Sequence, residues 1–384
     1  MLETFQDRAW VEDEEIKAEA DRLVMEVRHE ACLTAMDREA LKRHLFDSMR
    51  GLDVLQELIE DDEVTEIMVN GPDHIFVEKA GQICSWQKHF ESREKLEDVI
   101  QRIVGDCNRV INERTPIADA RLPDGSRVNA VIAPAAINGP ILTIRRFPKE
   151  RITMADLIRY GSVTKEAADD LKRYVRSGYS ILISGGTSAG KTTFLNALSN
   201  AIPKGERVIT IEDNAELQIQ GVANLVSLEA KSANMEGNKA VTIRDLIKSS
   251  LRMRPDRVVV GEVRGEEAAE LLQALNTGHT GSFSTIHANS AADTLNRFET
   301  LVMFAMDIPA EAIRRQIASG IDLVVYLGRV PNKGRRVMEI VELDGLENGV
   351  VRTNPLYMWD NEAGSLKCVG QLRHRDKLIL AGEG

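Results

Sequence analysis

The stretch Leu182–Thr193, LISGGTSAGKTT, constrains this chain more than any other. Gly185, four further residues and then Gly190-Lys191-Thr192 spell G-x-x-x-x-G-K-[ST], the spacing of a loop that wraps backbone N–H groups around a phosphate chain. The preceding YSILI is an apolar run suited to a buried strand. Gly185, Gly186 and Gly190 let the backbone close on the anion, and Thr187, Ser188 and Ala189 complete the loop. The following FLNALSNAI has helical spacing, which turns a helix N-terminus toward the phosphates. Lys191 is then placed to reach the β- and γ-phosphates, and Thr192, followed by Thr193, to offer a hydroxyl to Mg2+. Strand, loop and helix in this order predict a nucleotide site. They do not separate a kinase, a switch GTPase, a DNA translocase or another motor.

The rest of the composition narrows the choice. The chain has 384 residues, 43% of them hydrophobic, enough for two or three domains. Its net charge of -11 and pI near 5.3 disfavour a surface built for direct nucleic-acid contact. The four cysteines, Cys32, Cys84, Cys107 and Cys368, fall at no metal-ligand spacing and suit a reducing cytoplasm. No apolar run reaches the ~20 residues of a membrane span, and the acidic start MLETFQDRAWVEDEE lacks a basic-then-apolar leader. Work at a membrane would be that of a peripheral subunit.

Periodicity divides the chain. Residues 1–60 read as a short helical bundle, with Ile16, Ala20, Leu23, Val24 and Val27 on one face and Thr34 and Asp37 at capping-box spacing. Residues 61–148 read as an α+β domain: hairpin signals in VTEIMVN-GPD-HIFVEK and IADARL-PDG-SRVNAVIAP, a helix at about 93–112, and a strand at 140–147. Residues 149–164 look like a linker with a short helix. From 165 to 384 helices and strands alternate, which argues an α/β domain with a mostly parallel sheet, and the tail reads as added β-hairpins.

Further chemistry lies downstream of the loop. In RMRPDRVVVGEVRGEEA an apolar strand delivers Glu262 to its C-terminal end, where a carboxylate can polarise the attacking water or hold Mg2+ through water. RVITIEDNAEL ends a strand in Glu212-Asp213, with Glu216 close behind: a turn or cap in most folds, a group that orients water or magnesium in an ATPase. NTGHTGSFSTIHANSA brackets a small-residue strand with His279 and His287, where an imidazole can sense a γ-phosphate; the spacing is poor evidence for zinc. A basic set, Arg121, Arg127, Arg145 and Arg146, lies before the linker. Surface solvation and phosphate clamping remain alternative roles for it.

These motifs, in this order, resemble the type II/type IV secretion ATPase superfamily. GGTSAGKTT, TIEDNAEL, RPDRVVVGEVRGEEA and TGHTGSFSTIHAN correspond to its Walker A loop, aspartate box, Walker B strand and histidine box. ARLPDGSRVNAV, GPILTIRRF and the spelling of the histidine box look most like the Tad/Flp pilus motors typified by CpaF. The resemblance spans about residues 60–330. It implies a RecA-like ATPase domain behind an α+β N-terminal domain, and a homohexameric, magnesium-dependent ring that hydrolyses ATP at subunit boundaries. Such a ring would sit in the cytoplasm at the inner membrane and drive a polytopic platform protein, with no direct nucleic-acid contact. It further implies that Lys191 and Thr192 bind phosphate and Mg2+, that Glu262 is the Walker B glutamate, that Glu212 belongs to the aspartate box and His287 to the histidine box, and that Arg127 and Arg145 approach the γ-phosphate. One departure is Gly265, where many relatives carry Asp, so that Asp's role does not transfer.

The rivals are weaker. A small-molecule kinase needs no α+β domain ahead of the loop. A switch GTPase needs N-K-x-D, whereas Asn238-Lys239 and Asn332-Lys333 lead into Ala-Val and Gly-Arg. A DNA-translocating conjugation motor and a nucleotide-gated scaffold with little turnover remain as alternatives.

Overall fold

The computed structural model describes residues 12–27, 34–79, 81–107, 109–122, 124–146, 152–231 and 239–383. The chain divides into two compact units, Met1–Arg151 and Ile152–Gly384.

In the first unit α1 (Asp13–Val27) and α2 (Ala35–Met49) pack against each other. Ile16, Ala20 and Val24 are buried, and Lys42 and Arg50 reach back to Asp21 and Asp13 at 2.5 and 3.1 Å. The Thr34–Asp37 capping box is formed, each side chain bonding the other's backbone N–H. The end of the first expected helix, residues 28–33, lies outside the described residues. A 3-10 turn (Asp53–Leu55) and α3 (Gln56–Glu60) follow, and their Val54, Leu55 and Leu58 belong to the core of the sheet that comes after them.

That sheet has six strands in the order β3-β2-β1-β6-β5-β4, every pairing antiparallel: β1 (Val64–Asn70), β2 (Ile75–Lys79), β3 (Gln82–Trp86), β4 (Ile117–Arg121), β5 (Arg127–Val131) and β6 (Ile141–Arg145). Alternation along β6 and the second half of β1 makes them half-buried strands: Ile67, Val69, Leu142 and Ile144 face the core, where Leu96, Val99, Ile100, Ile103 and Val104 of α4 (Arg93–Asp106) meet them. The helix stops at Asp106, short of the expected 112.

The second unit is built on a nine-stranded sheet, β15-β14-β13-β12-β7-β11-β10-β8-β9. Its six strands from β12 to β9 run parallel: β7 (Ile181–Gly185), β8 (Arg207–Glu212), β9 (Asn224–Glu229), β10 (Arg257–Val263), β11 (Phe283–Ile286) and β12 (Leu323–Val330). β13 (Gly334–Glu347), β14 (Val350–Asp360) and β15 (Ser365–Cys368) continue it antiparallel. The inner parallel strands are apolar on both sides, as a sheet covered on both faces requires. One face packs on α5 (Met154–Arg159), α6 (Lys165–Arg176) and α7 (Lys191–Ser199), the other on α8 (Ile243–Ser250), α9 (Glu267–Asn276), α10 (Ala291–Ala305) and α11 (Ala310–Gly320). Residues 152–164, read from sequence as linker, are therefore structured: Met154, Leu157 and Val163 are core residues of this unit, while 149–151 lie outside the described residues. The sequence reading has neither β9 nor α11. β9 is an edge strand without an apolar run, and α11 commits only Ile313, Ile317 and Gly320 to the interior.

The chain end is tied down by charge. Arg176 forks onto Glu383, Lys377 meets Asp322 at 2.6 Å, and the buried Glu342 accepts the backbone N–H groups of Arg373 and His374.

β7 owes its position to a close approach. A Cβ on Gly185 would stand 2.5 Å from the Leu327 carbonyl oxygen of β12 and 3.0 Å from Ala189 Cβ. Gly185→Ala must therefore push the loop off the sheet. We expect it to lower the urea midpoint, at a cost of about 1–3 kcal/mol for overpacking, with weaker nucleotide binding in the same preparation.

Candidate active site

Parallel strands bring their C-terminal ends to one edge, where a sheet of this class places its ligands. Four such ends converge here. β7 runs into the phosphate loop, β10 ends with Glu262 and Val263, β11 hands over to His287, and β8 ends at Glu212. The loop itself takes two left-handed residues, Ser188 (φ +57°) and Gly190 (φ +93°), before α7 begins at Lys191. Its residues thus form a turn of consecutive backbone N–H groups leading into a helix N-terminus, a geometry that favours an anion.

Lys191 is buried, 7% exposed, and its ammonium donates to the Gly185 and Gly186 carbonyls, both at 3.2 Å. It also lies 3.3 and 3.4 Å from the two ring nitrogens of His287. Burial pushes its pKa down; the Glu262 charge opposes that and Arg264 adds to it. On its other side His287 Nε2 stands 2.8 Å from Glu262 Oε1. That oxygen is buried, and although the ring nitrogen is close no donor is aligned on it. Glu262 Oε2 takes 2.7 Å from Arg264 Nη2. Lys191, His287, Glu262 and Arg264 therefore form one chain of contacts, with a carboxylate oxygen that accepts no aligned hydrogen bond in the middle. Burial also lowers the His287 pKa, more than the Glu262 carboxylate raises it, so the ring is neutral at physiological pH.

Glu212 is placed differently. It is 4% exposed, and its two oxygens accept backbone N–H bonds from Glu216 and Leu217 at 2.9–3.1 Å. A Cβ on Gly261 would sit 2.8 Å from Glu212 Cγ, so the glycine before Glu262 is what lets this carboxylate lie against β10. Glu212 shapes the loop that starts at Asp213, and α7 grips the same loop, Asn196 accepting from the Gln218 N–H at 2.8 Å. Thr285 donates to the Gly261 carbonyl at 2.7 Å and Thr294 to Ser184 Oγ at 2.7 Å, which fix β10 and β7 against their neighbours. Thr192 and Thr193 are half-buried on the first turn of α7. His279 lies ahead of β11, at the strand end away from the loop.

Arg127 and Arg145 belong to the first unit. There β5 and β6 pair them directly, and Arg121 stands opposite Arg127 on β4, so three arginines occupy one row across three strands. Arg146 points the other way. It is buried and bonds the Leu58 and Asp61 carbonyls, a structural assignment that leaves Arg145 as the exposed member of the pair.

The sequence reading passed over two residues of this site. Arg264, just past the end of β10, contacts the Glu262 carboxylate, and its position two residues after Glu262 is the available signal. Arg335 of β13 donates from Nε to the Ser188 carbonyl at 2.9 Å across 147 residues of chain, a contact with no local signature.

The profile of the family described as type II/IV secretion system protein matches residues 48–364. The chain belongs to this family. It is an ATPase of that class, with a RecA-like nucleotide domain. A putative conjugal transfer protein of Mycobacterium tuberculosis strain H37Rv is 33% identical over 328 residues, covering 84% of this chain and 92% of its own. The type IV secretion system protein PtlH of Bordetella pertussis is 33% identical over 322 residues, 77% of this chain and 95% of its own. The pilus retraction motor PilT with bound ADP shares the fold, with TM-score 0.55 at 19% identity over 86% of this chain and 85% of that one. Among the described residues of this secretion ATPase no helix is long and apolar enough to cross a membrane.

The depressed His287 has a consequence for pH. Below its ordinary value of about 6.5 the unfolded chain takes up a proton that the folded ring resists. The stability contribution is thus present above about pH 6.5 and is lost as pH falls toward the folded-state value. In nucleotide-free protein, His287→Asn should flatten this part of the profile. Urea midpoints of wild type and variant at about pH 5.5 and 7.5 measure it; parallel profiles would show that the ring is not protected.

Proposed function

We propose that this secretion ATPase is a ring-forming motor that turns ATP hydrolysis into domain motion, driving assembly or retraction of a Tad/type IV-like pilus or the export of substrates. The observation that carries the chemistry is the buried Glu262 Oε1 with no aligned donor, one imidazole away from the Lys191 ammonium. Lys191 stabilises charge as it builds on the terminal phosphate. Glu262 accepts a proton from the attacking water. His287, neutral and wedged between them, registers whether the terminal phosphate is present. Glu212 holds the loop after β8 in place.

A magnesium ion fits this donor set. A carboxylate oxygen with no aligned hydrogen-bond donor is the kind of hard ligand Mg2+ prefers, and no group of three His, Cys, Asp or Glu side chains competes for a metal among the described residues. Thr192 and, through water, Glu262 would hold it, and its charge would help neutralise the phosphates.

Arg127 and Arg145 are assigned to the γ-phosphate, in their own or a neighbouring subunit. Their pairing on adjacent strands supports this, because it sets two guanidinium groups in one row where a phosphate could bridge them, with Glu66 of β1 on the other side of Arg145. The resemblance of the motifs to pilus and secretion motors favours a homohexamer in the cytoplasm, peripheral at the inner membrane, acting on a polytopic platform protein, and the net charge of -11 weighs against direct contact with DNA, while the relatives named conjugal transfer proteins favour the second reading. A DNA-translocating conjugation motor is the second reading. Turnover stimulated by DNA would favour it, and binding with negligible turnover would favour a scaffold.

Lys191→Ala should abolish magnesium-dependent phosphate release. Glu262→Gln should bind nucleotide and lose turnover by on the order of 10²-fold or more, the scale of a lost general base, while Glu212→Gln loses less; the reverse order would exchange their roles. Activity measured against protein concentration, with mass read in parallel, tests the ring: specific activity should rise as the hexamer forms. Arg127→Ala and Arg145→Ala should keep ADP binding and assembly and lose most turnover.

A further inference from the structure

The nucleotide domain has a second cluster of positive charge that the reaction above does not use. It sits on the hairpin joining β12 to β13. Arg335 lies along the phosphate loop: Nε bonds the Ser188 carbonyl at 2.9 Å, and Cδ would be 3.3 Å from a Cβ on Gly190. Directly across the hairpin its strand partner is Arg329, a like charge. Next in sequence, Arg336 donates from Nη1 to the Arg335 carbonyl at 2.8 Å, and its Nη2 packs over Gly161 in the turn between α5 and α6. Burial alone pushes the Arg336 guanidinium down from its ordinary range, with no carboxylate opposing it. Among the described residues no acid forms an ion pair with Arg329, Arg335 or Arg336. Like charges set opposite one another cost stability, and an anionic ligand would remove that cost.

The order of the strands says which part of a nucleotide that anion is. The phosphate loop follows β7. Glu262 and His287 come from β10 and β11, on one side of β7; Arg335 and Arg336 come from β13, beyond β12 on the other side. A phosphate chain lying on the loop has its terminal group toward Glu262, where water attacks. Its nucleoside end therefore leaves toward β12 and β13. We propose that Arg335 forms the nucleoside-side part of the ATP site and holds the α- and β-phosphates that ATP and ADP share. The proposal rests on the assignment of the loop as the ATP site. It makes Arg335 a residue of uniform binding, felt equally in substrate and product, in contrast to groups that act on the terminal phosphate.

The test measures ADP and non-hydrolysable ATP analogue affinities, with steady-state kinetics, for wild type, Arg335→Ala, Arg335→Gln and Arg335→Lys. Glutamine retains a donor for the Ser188 carbonyl and removes the charge; lysine keeps the charge. Arg335→Ala and Arg335→Gln should weaken ADP and the ATP analogue by the same factor, about tenfold or more for a charge-assisted phosphate contact, and raise KM more than they lower kcat. Lysine should recover part of the loss. Unchanged ADP affinity in the alanine and glutamine variants would overturn the proposal. So would loss of the ATP analogue alone, which would put Arg335 on the terminal phosphate. A kcat that falls as far as kcat/KM in alanine but not in glutamine would make Arg335 only a brace for the loop. Lys191→Ala, run alongside, reads the underlying assignment: wild-type nucleotide binding in that variant would remove the loop as the ATP site, whatever the arginine variants show.

Discussion

A buried ammonium without a hydrogen-bonded carboxylate sets the terms for the nucleotide domain. Lys191 has lost most of its hydration, and two carbonyl dipoles and a neutral imidazole replace only part of it. The folded protein carries this cost because the loop fixes it. Gly185 passes under Leu327 too closely for any side chain, Ser188 and Gly190 turn left-handed, and the helix begins at the lysine itself. The site is electrostatically incomplete until an anion arrives. A ligand that supplies the missing negative charge binds the folded state alone, so occupancy and stability are coupled by mass action.

The sheet converts this local demand into a division of labour. β7 is central, so the groups around the loop sort by strand order. The Glu262 carboxylate and the His287 imidazole on one side of the loop come from β10 and β11, and the arginines on the other side come from the antiparallel extension. Glu212 and Gly261 show how tightly the first set is built: a glycine is required on one strand so that a carboxylate from the next can hold a loop by its backbone. Two adjacent acidic strand ends thereby acquire different environments. Glu212 has its oxygens occupied by N–H groups, while one Glu262 oxygen has no aligned donor.

Much of this was legible from residue order. The parallel strands of the second unit are short, apolar and bounded by glycine or polar turns, and β8 occupies the range its periodicity predicts, Arg207–Glu212. Lys191, Glu262 and His287 were chosen on chemical grounds, and the structure brings them together. What the sequence did not reveal has common physical causes. β9 takes its strand conformation from pairing with β8, and its own alternation is too weak to announce it. α11 shows the sheet two isoleucines spaced one turn apart. The segment 152–164 looks like a connector because its apolar anchors are few, Met154, Leu157 and Val163 with Ile158 at the margin, yet these dock it. Arg335 reaches the loop through a contact spanning 147 residues, which periodicity cannot encode.

The neighbouring arginines at the end of β6 carry one more implication. Residues 145 and 146 are chemically identical, so by side-chain type alone this strand end fits its partners equally well one residue out of step. A slip of that kind in a β-strand exchanges inside for outside. The backbone carbonyls of Leu58 and Asp61 break the tie, because they accept a guanidinium only where Arg146 now stands, and Asp62 adds its charge there. The short helix before the sheet is thus a gauge for alignment, and the row formed by Arg121, Arg127 and Arg145 inherits its order from a contact on the opposite face.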